Sequence, residues 1–389
     1  MSYTKTQEIS RKRLRTQHAQ PQTLKKIKTS SSTPAKPEII QTISEITFNK
    51  RSQSVLSLTQ LSEPLKIQSE YPIPELNEYE ILVSNKAIGL NPIDWKGKKY
   101  GFVTHVPRID GRESSGEIVK LGNKVKNFKV GDKVIVSSTS YRDNRTSTFQ
   151  QFTAIDSRLV WKLPDNFSFE DGATIGVGLV TAGILLYNSF GFELNLEPKV
   201  KINETILIWG GATIVGIYLA QLAKLHGLKV ISIASTTHEK YLKNIGVDHL
   251  INRHQSDEEI LKKIEEGLNG GSINYSVDCV SKETAQKVLD ILEKINKPTD
   301  NKTKFSGIVG VPKQIPDSIE LKEVIIKRFH EDKEFGSSFI KITSTFLKES
   351  KIKPTRYKQY KGGLEIIDDA LNDLEKNGAN GEKYVVSIN

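Results

Sequence analysis

"ETILIWGGATIVGIYLAQLAKLHGLKVISIAS", residues 204–235, is the stretch on which the fold turns. "TILIW" is a short continuous apolar run ended by a glycine pair, the pattern of a strand buried on both faces. Beyond the glycines, Val215, Leu219, Leu222 and Leu225 recur at intervals of three and four, which predicts an amphipathic helix. "KVISIA" follows as a second strand. Strand, glycine turn, helix and strand make a βαβ unit, and its two strands run parallel.

The turn carries chemistry. A glycine-rich strand-to-helix turn receives a pyrophosphate because backbone N–H groups and the helix N-terminus point at the anion, where side chains would block its approach. The loop is Gly210, Gly211, Ala212, Thr213, Ile214, Val215 and Gly216. Set against Gly-x-Gly-x-x-Gly it departs at the middle glycine, which is Thr213. The second strand runs into Ser235, where an NAD-binding fold places an acid for the ribose hydroxyls. An uncharged end with Lys240 and Arg253 nearby accommodates a 2′-phosphate, so the expected cofactor is NADPH.

The alternation continues downstream through "HLIN", "INYSVDCV" and "KFSGIVGV", with helices predicted over residues 238–245, 258–266 and 283–292. That is a doubly wound parallel sheet in an α/β protein. Upstream, "EILVSNKAI" (residues 80–88), "GEIVKLG", "KVGDKVIVSS", "FQQFTAI" and "RLVWKLP" come as short alternating runs between turns and predict an antiparallel β domain. The end, "GGLEIIDDALNDLEKNGANGEKYVVSIN", reads as a helix, a glycine stop and a strand free to rejoin the β domain. The expected division is a basic, disordered tail over residues 1–43, a β domain over 44–180 and 335–389, and the parallel domain over 181–334.

Charge separates the tail from the rest. Nine of the 56 basic residues but one of the 46 acidic ones lie in residues 1–36, a net +8, which leaves +2 of the total +10 for everything else. Lys12-Arg13 and the Lys25, Lys26, Lys28 cluster resemble a bipartite nuclear signal for an import carrier. A mitochondrial presequence is the competing reading, disfavoured by the weak apolar face of residues 1–15. No apolar run approaches the roughly 20 residues of a membrane span, so no membrane partner is expected. The single cysteine, Cys279, excludes an internal disulfide and a cysteine-based structural zinc. The expected location is cytoplasmic and nuclear.

The collinear order "NPIDWK", "GRESSGEIVKLGNKVKNFKVGDKV", "TFQQFTAI", "LVTAGILL", "WGGATIVG" and "NGANGEKYVV" resembles the medium-chain dehydrogenase/reductase superfamily. Within it the chain is similar to the zinc-free quinone oxidoreductases and the fungal enoyl-reductase-like branch. The resemblance implies a GroES-like antiparallel β catalytic domain built from both chain ends, a Rossmann domain between them, and NADPH in the cleft. It places Asn91, Asp94 and Thr181 beside the nicotinamide and Lys96 near the substrate. Tyr100 is a rival proton donor, and Gly310 and Val311 join the candidate cofactor residues. Homodimers paired through Rossmann domains are common in the resembling family.

Zinc members of that superfamily carry a histidine ligand in Gly-His-Glu, and here the segment is Gly111-Arg112-Glu113. Arg112 is expected to pair with Glu113 or a neighbouring acid. The seven histidines show no paired spacing, so no metal site is expected. Phe102, Tyr141 and Phe149 are candidates to wall an apolar pocket. The function expected is metal-free reduction of an activated double bond or a quinone, with a small-molecule substrate. The alternative is a non-catalytic NADPH-binding or nucleic-acid-associated protein on a reductase scaffold; a nearly neutral body without a basic stripe counts against nucleic acid.

Overall fold

Continuous apolar strands and alternating strands sort into different sheets, two large ones of six and seven strands and a small third one of Ser52–Leu58, Lys66–Pro72 and Arg108–Ile109. The computed structural model describes residues 48–388 except 102–104, 139–142 and 297–301. The basic clusters at Lys12-Arg13 and Lys25 to Lys28 lie outside the described residues, as do Phe102 and Tyr141.

The strands His249–Asn252, Lys229–Ala234, Thr205–Trp209, Tyr275–Asp278, Thr303–Gly307 and Ile319–Leu321 lie side by side in that order. Every neighbouring pair is parallel. Numbered along the chain, the order is 3-2-1-4-5-6, and its direction reverses between Thr205–Trp209 and Tyr275–Asp278, where ligands bind in such sheets. "TILIW" is buried at every position because helices cover both faces. The helices Glu239–Asn244, Asp257–Leu268 and Lys282–Ile295 stand where the periodicity predicted them.

The second sheet has seven strands centred on Glu80–Leu90, which pairs with Glu113–Leu121, Phe152–Asp156 and the closing strand Lys383–Ser387, antiparallel in each case. One pair departs from the antiparallel expectation. Tyr357–Lys361 runs parallel to Lys383–Ser387. The helix Ile367–Asn377 lies between them in the chain, and a helical crossover returns the chain in its original direction. Phe149, expected at a pocket wall, is fully buried among core residues Val55, Leu56 and Ile88.

A second departure concerns apolar length. The helical run Phe169–Ser189 is long and apolar enough by composition to cross a membrane, yet it is mostly buried inside the protein. It joins the helix Gly176–Gly183 to a π-turn over Ile184–Ser189. At Gly183 a Cβ would come within 2.2 Å of the Phe339 ring, so the segment is fitted to protein neighbours.

Candidate active site

The glycine turn opens into a cleft of about 1070 Å³ between the two larger sheets. Gly210 has φ +87°, the left-handed region that starts the turn, and its neighbour Gly211 lies so close to the next strand that a Cβ would meet Ser232 Oγ at 1.7 Å. At Gly216 a Cβ would lie 2.5 Å from the Gly210 carbonyl oxygen. Thr213, where the motif departs from glycine, caps the helix Ile214–Leu225: its hydroxyl accepts from the Gly216 N–H at 3.1 Å. The departure is a replacement of one helix-start device by another. Among the described residues no acceptor is found for the N–H groups of Ala212, Ile214 and Val215, all three of which line the cleft. Orphan N–H groups at a helix N-terminus fit a pyrophosphate.

At the nucleotide end, Ser235 and the exposed Arg253 line the cleft. Lys240 does not; it is exposed on the helix Glu239–Asn244. Sequence reasoning missed His254 and Lys287, which line the same end, and His238. His238 is buried, and Arg356 Nη2 donates to its Nδ1 at 3.1 Å. A guanidinium can only donate, so the imidazole carries its proton on Nε2, which donates to Asn380 Oδ1 at 3.2 Å. Burial holds His238 below its ordinary 6.5, with Arg356 and Arg253 adding to the effect. The folded protein thus binds this proton less readily than the unfolded chain, and the contribution of His238 to stability is complete above pH 6.5 and declines below it. The expected result is that the melting temperature of the parent exceeds that of His238→Gln at neutral pH and that the gap narrows as the pH falls below 6.5. A gap constant across that interval would show that His238 does not titrate in this way.

The other end of the cleft is built by the chain around Asn91. Asn91, Lys96 and Thr181 line it. Asp94 lies behind the wall: it caps the helix Pro92–Tyr100 by accepting from the Asn91 N–H at 2.8 Å. Burial pushes its carboxyl up to about 7, against the pull of Arg112. Thr181 donates its hydroxyl proton to the Val177 carbonyl oxygen at 2.7 Å, which leaves its oxygen to the cleft as an acceptor. Tyr100 is 58% exposed, tilted against Trp95, and does not line the cleft. Gly211, Gly216, Gly310 and Val311 also stay out of the lining; Gly310 closes against Gly307, and Val311 packs on the sheet core.

The three lysines of "WKGKK" part company. Lys98 bonds Asp368 at 2.7 Å and Lys99 bonds Glu375 at 2.6 Å, both on the helix Ile367–Asn377. Lys96 is half-buried in the cleft, 5.6 Å from the Trp95 ring centroid, with no carboxylate in ion-pair range among the described residues.

Arg112 is buried and pairs with Asp110 at 3.3 Å, while its chain neighbour Glu113 turns to Asn91 and Lys383. Among the described residues no group of three or more His, Cys, Asp or Glu is arranged to hold a metal ion.

Two family profiles match the chain, the alcohol dehydrogenase GroES-like domain over residues 77–165 and the zinc-binding dehydrogenase family over residues 215–295. The uncharacterized protein YNL134C of Saccharomyces cerevisiae is 32% identical over 361 residues, covering 83% of this chain and 94% of that one. The trans-enoyl reductase ACTTS2 of Alternaria alternata is 30% identical over 339 residues, 82% of this chain and 94% of that one. Among solved structures, the quinone oxidoreductase of Pseudomonas syringae is similar with a TM-score of 0.69 at 20% identity, over 86% of this chain and 99% of that one. Mycobacterial Rv1454c complexed with NADPH is similar with a TM-score of 0.69 at 22% identity, over 86% of this chain and all of that one. The chain therefore belongs to the medium-chain dehydrogenase/reductase superfamily of oxidoreductases, in its enoyl-reductase-like branch, with a GroES-like domain and a Rossmann domain, and it shares its fold with quinone oxidoreductases.

Proposed function

We propose that the chain is a zinc-independent reductase that uses NADPH to reduce an activated C=C bond or a quinone. The observation that carries this reading is Lys96, a half-buried ammonium in the cleft with no acid among the described residues to neutralise it. NADPH, when bound, supplies a hydride. An enone, enoyl thioester or quinone that accepts it develops negative charge on oxygen, and a fixed cation in a partly desolvated site stabilises that charge. Lys96 fills this role, and the orphan N–H groups of Ala212, Ile214 and Val215 hold the pyrophosphate. The donor chemistry supports zinc independence: the Arg112 guanidinium has no lone pair for a metal, and burial pushes the Cys279 thiol up to about 12, far from a thiolate.

The test is NADPH oxidation in the presence of a chelator, with a panel of enones, enoyl thioesters and quinones. Turnover on at least one class supports the reading. Tight NADPH binding with no turnover on any favours the non-catalytic alternative, and absence of NADPH binding overturns both.

Cofactor choice is a separate expectation. With Ser235 in place of an acid and Arg253 beside it, NADPH binds more tightly than NADH by about 1–3 kcal/mol, the scale of a charge-assisted hydrogen bond. Arg253→Ala narrows the gap, whereas Lys240→Ala, outside the cleft, leaves it alone. Calorimetric titration of both nucleotides checks this; equal affinities in the parent protein would refute it.

A further inference from the structure

We infer that Glu113 and Lys383 act together as positioning residues, locking the Asn91 carboxamide so that one of its N–H groups is held as a donor for a carbonyl oxygen at the reacting end of the cleft. The inference rests on the reductase reading above and deepens it.

The amide of an asparagine looks nearly the same from either side, so its neighbours decide which end donates. Asn91 Oδ1 faces Lys383 Nζ at 2.7 Å, and Asn91 Nδ2 faces Glu113 Oε1 at 2.9 Å. An ammonium has only donors and a carboxylate only acceptors, so neither contact survives a flip of the amide. One Nδ2 hydrogen is consumed by Glu113, and no second Nδ2 acceptor is found among the described residues. Asn91 is buried and lines the cleft.

The two locking groups are themselves fixed. Glu113 has no exposed surface, ion-pairs with Lys383, and accepts from the Val177 N–H at 2.9 Å through its other oxygen. Val177 lies in the first turn of the helix Gly176–Gly183, which also carries Thr181. A single carboxylate thus ties the Asn91 wall of the cleft to the Thr181 wall. Space for it comes from two glycines: a Cβ at Gly89 would lie 2.8 Å from Glu113 Cγ, and one at Gly176 would lie 3.1 Å from Glu113 Cβ. A buried ion pair is weak evidence for stability, since apolar residues of similar volume serve that purpose as well or better. A donor-only and an acceptor-only group on opposite ends of one amide do what apolar residues cannot: they set its direction.

The carbonyl oxygen belongs either to the nicotinamide carboxamide or to the acceptor being reduced, and two measurements separate these. Calorimetry compares NADPH with 2′-phospho-ADP-ribose, which lacks the nicotinamide; steady-state kinetics give kcat and KM on an acceptor found in the panel. Lys383→Met frees Oδ1, and the amide is no longer directed. If the oxygen is the nicotinamide's, Lys383→Met weakens NADPH binding about tenfold, the worth of one hydrogen bond, and leaves 2′-phospho-ADP-ribose unaffected. If it is the acceptor's, both nucleotides bind as in the parent and kcat falls about tenfold or more with KM little changed. Equal weakening of both nucleotides, or binding and kcat within twofold of the parent, overturns the inference. Because Lys383→Met leaves a buried carboxylate unpaired, the charge-neutral pair Glu113→Gln with Lys383→Met is measured beside it; its readouts decide if the single variant does not fold. A parent protein that binds neither nucleotide instead overturns the functional reading on which the inference stands.

Discussion

Lys96→Met lowers turnover by about a hundred- to thousandfold while NADPH binds as it does to the parent. That range corresponds to roughly 2.7–4 kcal/mol, the usual cost of removing one preorganised donor from a developing oxyanion. Methionine keeps most of the length and apolar stem of lysine and discards the charge, so packing beside Trp95 survives. Neighbouring lysines cannot take over. Lys98 and Lys99 are held by Asp368 and Glu375 on another helix. Lys98→Met is the matched control, expected to lower the melting temperature through loss of the Asp368 contact and to spare kcat. Parent-like turnover of Lys96→Met on a confirmed acceptor would remove Lys96 from the chemistry.

Gly211→Ala destabilises the protein and weakens NADPH together, and Ser232→Gly restores both. The added methyl carbon would stand 1.7 Å from Ser232 Oγ and 3.0 Å from Ser232 Cβ, so the turn or the strand Lys229–Ala234 must move. Overpacking of this kind costs about 1–3 kcal/mol. The turn also carries the orphan N–H groups, and a shift that costs them about 1.4 kcal/mol of interaction lowers affinity tenfold. Ser232 is a good partner for the test because its buried hydroxyl has no hydrogen-bond partner among the described residues, so its loss is nearly neutral and Ser232→Gly alone costs only the roughly 0.5–1 kcal/mol of a glycine inside a strand. Denaturant midpoints and calorimetric titrations of the two single variants and the double variant check it. A Gly211→Ala protein as stable and as tight for NADPH as its parent would contradict the close packing, and failure of Ser232→Gly to relieve it would show that the obstruction lies elsewhere.

The parallel domain was legible in the sequence because its signals are local. "TILIW", the glycine turn and the three-four spacing of Val215 to Leu225 lie within one βαβ unit, and each follows from the geometry of a single strand or helix. Thr213 read in the sequence only as a departure from the glycine motif, although its cap bond to Gly216 is equally local. Tertiary structure decided everything that depends on what a side chain faces. Lys96 and Lys98 lie two residues apart, but a helix turns about 200° over that interval, and only the packing of Ile367–Asn377 determines which of them meets an acid. Tyr100 and Lys240, attractive by position, point away from the cleft for the same reason. The Asn91 lock is the extreme case: Lys383 is 292 residues away from Asn91 and reaches it because the closing strand pairs with Glu80–Leu90. Periodicity carries information over a few turns of helix or one strand, while the direction of a buried amide is set by charges that only chain closure brings together.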